Sequence, residues 1–349
     1  MPLLKSKLAD FAYITARVRV MRRKLLRKEV YPRLQAMEIP GIARFLGETE
    51  YKEDIDLLSS KFSGVDLIEH ALNSNLAKTF TKLIDISEGG ANLMIKEYLK
   101  VWDVRNLKTI IRGIYYEADY EELVRTIVPA GEFSYEFLLT LARRRSFEEV
   151  IEELRSTPYH KVLKENLKKD ELKRGVTLQQ AEDALDKFYY LRVVDMIDPS
   201  SAENALFLKF FKTEIDVTNL NVLFRMLKAG VSSKEILNSL ILKGLKFKPS
   251  DLKRFATLSY EEFFRNLENY PYWSALSELR DALLSEIEVS LEKYLIDYSL
   301  RISHYYPLSI LPVMLYIRSK EAEIKNLRMI VRAKEVGLSM EVIKKHLVI

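Results

Sequence analysis

The stretch DVRNLKTIIR, residues 103 to 112, brings a carboxylate, an amide and a guanidinium within about three helical turns. Asp103, Asn106 and Arg112 could form the charged corner of an active site. On a helix, however, Asp103, Asn106 or Leu107, Ile110 and Ile114 share one face, so the acid and the amide look toward a core beside apolar neighbours. Polar side chains placed there must be hydrogen-bonded, most cheaply to the backbone of an adjoining turn.

The same pattern occurs three times. Written as [DE]-x-x-N-L-x-x-x-x-R, it gives Asp103, Asn106, Leu107 and Arg112, then Asp216, Asn219, Leu220 and Arg225, then Glu323, Asn326, Leu327 and Arg332. Ordinary residue frequencies predict on the order of 0.01 chance matches in a chain of this length. Catalysis rarely needs one triplet at three remote positions, so the spacing points to a structural role for all twelve residues.

Other chemistry is missing when sought motif by motif. The chain contains no G-x-x-x-x-G-K-[ST], no G-x-G-x-x-G and no H-E-x-x-H. Its four histidines, His70, His160, His304 and His346, do not stand at metal-ligand spacing, and the absence of cysteine excludes thiolate sites and disulfides. Glu121-Glu122, Glu148-Glu149 and Glu261-Glu262 fall where first helical turns are expected, and there the helix dipole favours acids. We expect no catalytic residue, no cofactor, no metal and no small-molecule substrate.

One cluster suits binding. Arg17, Arg19, Arg22, Arg23, Lys24, Arg27 and Lys28 crowd the run RVRVMRRKLLRK, expected on one helix whose apolar stripe is Phe11, Ile14, Val18, Met21 and Leu25. Phosphates, an anionic membrane surface, an acidic protein partner or plain solvent could each face such a run. The whole chain, at a formal +5 with 30% charged residues, lacks a nucleic-acid binder's surplus. Arg143-Arg144-Arg145 reads as the basic end of a helix.

The elements that must carry these residues are helices. Apolar positions recur at helical spacing from Leu172 through Ala181, Leu185, Phe188, Leu191 and Val194, and again from Leu276 through Leu279, Leu283, Ile287, Leu291, Leu295 and Tyr298. Eleven glycines and ten prolines in 349 residues also favour helix over sandwich or barrel. Ser146 before Glu149 and Ser259 before Glu262 have capping-box spacing. The uncharged run ISHYYPLSILPVMLYI, 302 to 317, is too short for a bilayer and reads as a buried helix with Pro312 near its first turn. No secretory signal is evident at the N-terminus, which suits a protein made and kept in the cytoplasm.

The repeat extends beyond the motif. At the offset of 113 residues Gly131 maps to Gly244, Ser146-Phe147-Glu148-Glu149 to Ser259-Tyr260-Glu261-Glu262, and Pro158-Tyr159 to Pro271-Tyr272. Leu46 to Tyr51 matches Leu154 to Tyr159, while Glu69-His70-Ala71-Leu72, Glu182-Asp183-Ala184-Leu185 and Arg280-Asp281-Ala282-Leu283 mark a further common point. The expected architecture is all-α, with helical modules over residues 1–118, 119–230 and 231–349 in a pseudo-threefold arrangement.

DFAYITARVRVMRR at 10 to 23, LGETEY at 46 to 51, the thrice-used Asn-Leu motif and VRAKEVGLS at 331 to 339 together resemble the C subunit of the archaeal-type (A/V-type) rotary ATP synthases, homologous to the vacuolar d subunit. The resemblance covers essentially the whole length. It implies a funnel of three modules that catalyses nothing itself and turns with the central stalk. Its implied partners are the shaft subunits D and F and the membrane proteolipid ring, on the cytoplasmic face of the cell membrane as a peripheral protein serving ATP synthesis and ion transport. Glu323 replaces the aspartate of the other two copies. The alternative expectation is a free-standing helical-repeat scaffold that binds through its basic first helix.

Overall fold

The computed structural model describes residues 9–167 and 176–349, and no strand occurs among them. The chain opens with α1 (Ala9–Arg22) and the short helices α2 (Val30–Ala36), α3 (Ile39–Leu46) and α4 (Lys52–Leu58). The long α5 (Gly64–Asp85) follows, then α6 (Gly89–Leu99) and α7 (Val101–Tyr115). Short helices return as α8 (Tyr120–Thr126), α9 (Tyr135–Ala142), α10 (Phe147–Glu153) and α11 (Tyr159–Asn166), before the long α12 (Val176–Met196) and α13 (Ala202–Lys228). The last cycle has α14 (Ser233–Ser239), α15 (Pro249–Phe255), α16 (Tyr260–Asn266), α17 (Trp273–Leu276), α18 (Leu284–Tyr305), α19 (Leu311–Glu335) and α20 (Met340–His346).

Local signals explain where these elements start. Ser146 accepts from the Glu149 N–H at the head of α10. Ser259 does the same for Glu262, whose carboxylate returns the bond to the Ser259 N–H at 2.9 Å. Glu121-Glu122, Glu148-Glu149 and Glu261-Glu262 lie in the first turns of α8, α10 and α16. Leu172, where the second apolar stripe was expected to begin, lies outside the described residues.

Three expectations need correction. The basic run does not lie on one helix, because α1 ends at Arg22 and residues 23–29 form a turn before α2. The run 302–317 is two helices broken at Tyr306–Ile310, since a proline at the second position of α19 suits a helix start and not an interior. Arg280 to Leu283 precedes α18 instead of occupying it, and Arg280 pairs with Glu261. Measured from the buried Leu72, Leu185 and Leu291, the position of Glu69 and Glu182 is held in α18 by Glu288.

The long helices pack in a cycle. α7 lies against α12, α13 against α18, and α19 against α5. The apolar core runs from Phe11 in α1 to Leu347, with a second cluster of Phe224, Phe255, Phe263, Tyr272 and Leu291 between α13 and α18. α1 is anchored on α19 and α6 by Phe11, Ile14 and Val18, each at most 1% exposed.

The helices α7, α13 and α19 end alike. The N–H groups of Ala118, Val231 and Leu338 each return to a carbonyl five residues back, on Gly113, Met226 and Ala333. Such an ending puts one residue in the left-handed region. Gly230 and Gly337 take it at φ 66° and 71°, but the first copy has Glu117 at φ 53°. A side chain there costs on the order of 1 kcal/mol. Glu117→Gly is therefore expected to raise stability by about 0.5 kcal/mol, part of the relief being lost to the entropy of the unfolded chain. Chemical denaturation of both proteins checks the sign.

Candidate functional site

All three amides of the repeated motif are used in one way. Asn106 donates to the Val128 carbonyl at 2.7 Å and accepts from the Val128 N–H at 3.0 Å. Asn219 makes the same two bonds with Ile241, both at 2.8 Å, and Asn326 with Val348 at 2.8 and 2.7 Å. The partner is always 22 residues downstream, and each amide is at most 2% exposed. A side-chain amide thus stands in for a strand neighbour and satisfies an extended residue that no sheet serves.

The acids tie the same loops one step further on. Asp103 accepts from the N–H groups of Glu132 and Phe133 at 2.9 and 3.0 Å. Asp216 accepts from Leu245 and Lys246 at 3.0 and 2.6 Å and from the Tyr272 hydroxyl at 2.7 Å. Burial pushes both carboxyls up to about 6, against the pull of these donors. Gly131 and Gly244 make room: a Cβ would stand 2.2 Å from the Asp103 Oδ1 and 1.9 Å from the Asp216 Oδ1.

Glu323 is tied instead by the N-terminal part of the chain. Its carboxylate accepts from the Leu26 N–H, from the Tyr51 hydroxyl at 2.6 Å and from Lys320 Nζ at 2.9 Å. Tyr51 therefore does for Glu323 what Tyr272 does for Asp216. Lys320 is fully buried and also sits over the Tyr51 ring, 4.2 Å from its centroid. The extra methylene of glutamate extends the third acid toward these N-terminal partners.

The motif arginines work between helices. Arg112 forks onto Glu182 of α12, and Arg332 onto Glu69 of α5. Arg225 differs: it forms no salt bridge among the described residues and lines a 170 Å3 cleft with Asp183 and Ser239. Leu107, Leu220 and Leu327 are each fully buried in the core.

The inner faces of α7, α13 and α19 enclose a cavity of about 550 Å3, which carries no motif of its own in the sequence. Its floor is an ionic network. Arg105 meets Glu321 at 3.0 Å, Arg318 meets Glu321 at 3.0 Å and Glu214 at 3.6 Å, and the Tyr98 hydroxyl donates to Glu214 at 3.0 Å. Burial raises the Glu214 carboxyl above its ordinary range while Arg318 pulls it back. Arg105 stacks on Trp102, with 4.4 Å to the ring centroid. Exposure rises along α19, the side chains of Arg318, Lys325 and Arg332 being 11%, 45% and 50% accessible. The Trp102 indole N–H and the Asn221 Oδ1, both from residues that line it, have no hydrogen-bond partner among the described residues.

Of the basic run, Arg17, Arg19, Arg22, Arg23, Lys24, Arg27 and Lys28 are all exposed. Arg19 donates to the Pro307 carbonyl at 2.9 Å, and Lys24 lies 3.5 Å from Glu50. Among the described residues, no three His, Cys, Asp or Glu side chains converge as metal ligands.

Two sets of substitutions probe these ties. Asn106→Ala or Asn219→Ala should cost about 1–3 kcal/mol for each backbone group left bare, and Gly131→Ala about 1–3 kcal/mol by overpacking. Denaturant titration measures both, and unchanged midpoints would remove the structural role of the clamps. Glu323→Gln strands the buried Lys320 and should cost about 3–5 kcal/mol, whereas replacing Glu323 and Lys320 together by apolar residues should cost less than the single change.

The family model described as ATP synthase (C/AC39) subunit matches residues 14–346. The chain is 44% identical over 346 residues to the A-type ATP synthase C subunit of Methanococcoides burtonii, covering 98% of this chain and 95% of that one. It is 43% identical to that of Methanosarcina acetivorans, over 99% and 94%, and 36% identical to that of Archaeoglobus fulgidus, over 99% and 98%. No helix of the described residues is long and apolar enough to cross a membrane. By the match across nearly its full length, the chain belongs to the ATP synthase (C/AC39) subunit family, the C subunits of A/V-type ATP synthases.

Proposed function

We propose that the chain is a non-catalytic subunit of the rotor, seated between the central shaft formed by subunits D and F and the proteolipid ring on the cytoplasmic face of the membrane. The observation that carries this role is the central cavity. It is walled by the three motif helices together with α18 and lined by fixed charges of both signs, as a socket for a polar helical tip would be. Such a lining gives register to a protein partner through complementary charge, and it holds no nucleophile and base in a catalytic pairing.

The modules 1–118, 119–230 and 231–349 then form a pseudo-threefold funnel. The cyclic packing of α7 on α12, α13 on α18 and α19 on α5 supports that arrangement, as does the contact of Glu323 with Leu26 and Tyr51, which ties the last module to the first. A torque coupling must be stiff, and buried two-point clamps on each connecting loop resist shear better than apolar contact alone. The twelve motif residues serve that stiffness in this proposal.

Affinity capture of the full chain from cell membranes, followed by mass spectrometry, is expected to recover shaft and ring subunits. Arg105→Glu combined with Arg318→Glu should abolish recovery of the shaft subunits and leave ring recovery in place. Capture that brings down no other subunit of the ATP synthase would overturn the proposal.

A further inference from the structure

Beside the N-terminal end of α19 lies a surface with exposed aromatic and basic side chains. The loop between α18 and α19 exposes Tyr305 at 80%, Tyr306 at 46% and Leu308 at 47%. The bond from Arg19 to the Pro307 carbonyl pins α1 beside this loop, so its exposed Tyr13, Arg17 and Val20 border the same surface. From there the turn after α1 carries the basic run onto the flank of α19. Arg22, Arg23, Arg27 and Lys28 form no salt bridge among the described residues, and they rim a groove of about 900 Å3. The groove floor carries Ile296, Leu300, Leu315, Ala322 and Val348 together with Ser319, Glu323 and Asn326.

This groove borders the third clamp, whose acid is served differently from the other two. After Val128 and Ile241 the chain runs on through Gly131 and Gly244 to the donors of Asp103 and Asp216. In the third copy Asn326 clamps Val348, and the donor to Glu323 comes from Leu26. The seam between that turn and α19 is edged by four cations that form no salt bridge among the described residues.

We propose that this seam and the adjoining Tyr305–Leu308 loop form a binding site for anionic phospholipid. The headgroup phosphate meets Arg22, Arg23, Arg27 and Lys28, hydrocarbon lies on the groove floor, and the two tyrosines sit at headgroup level. Tyrosines flanked by arginines over apolar residues fit a bilayer interface, where one end of each side chain is wet and the other dry. An acidic protein segment would match the rim but would leave Tyr305 and Leu308 without a use. The site deepens the proposed rotor role and rests on it, since a rotor seated on the membrane would meet lipid headgroups.

Flotation of the purified full chain with vesicles tests the site. Vesicles of equal parts phosphatidylglycerol and phosphatidylcholine should bind it, and pure phosphatidylcholine should not. Removing two charges in R22Q/R23Q should weaken binding about twenty-five-fold, at roughly fivefold for each charge. The exposed pair Y305S/L308S should weaken binding in high salt, where the electrostatic share is screened. R155Q/K161Q on a distant face should change neither, and circular dichroism melts confirm that each variant is folded. Inorganic phosphate at matched ionic strength should not displace the vesicles. Displacement by phosphate would show a free-anion site, and equal binding to both vesicle types, no binding, or an unaffected R22Q/R23Q would each overturn the lipid site. Capture of the ring and shaft subunits is a separate readout, so loss of vesicle binding with intact capture rejects the lipid site and leaves the rotor role standing.

Discussion

The architecture depends on a buried asparagine whose side chain exchanges both hydrogen bonds with one backbone residue 22 positions downstream. An all-helical protein with long connections has a persistent difficulty: each connection that turns under a helix buries backbone groups that no ladder satisfies. Here the helix supplies a single amide with one donor and one acceptor in the right geometry, and the neighbouring acid secures the next N–H groups. Solving the problem three times with the same residues lets three connections lie under three helices in the same way.

Around those clamps the energetic division is clear. Apolar packing holds the helix pairs together, as in the fully buried Leu107, Leu220 and Leu327. The arginines 112 and 332 act between pairs, each half exposed and bidentate on a buried glutamate, so they specify which helix faces which more than they add stability. Arg225 shows that the scheme bends at one joint, where Glu288 occupies the position of Glu69 and Glu182 yet faces the central cavity. The fully buried Lys320 is held at the seam, and its tie to Glu323 and Tyr51 joins the beginning of the chain to its end.

Much of the candidate site was legible because periodicity and identity both carry it. The twelve motif residues were visible as a repeat, and Gly131 and Gly244 as matching glycines, although nothing in the spacing says that each glycine exists to admit a carboxylate within van der Waals range. The central ionic network was not legible. Arg105, Glu214, Arg318 and Glu321 share no motif, since position 105 is Arg, its counterpart in α13 is Thr218 and that in α19 is Lys325. Around the cavity each charge is satisfied by a different neighbour. Repetition along a chain reveals likeness, and the cavity is built from difference.

The amino-acid sequence by itself determined the helical class, the threefold recurrence and the family, because apolar spacing of 3.6 residues, turn residues and motif identity are local properties written along the chain. It also determined which residues had to be buried together with a partner, since an acid and an amide on an apolar helix face admit few alternatives. Only the tertiary structure decided who the partners are. Leu26 and Tyr51 reach Glu323 across nearly the whole length of the chain, and the cluster 17–28 is divided between a helix end and a turn whose Leu26 N–H is bound by Glu323. Such contacts are set by how the helix cycle closes, a condition on the whole chain that no window of sequence contains.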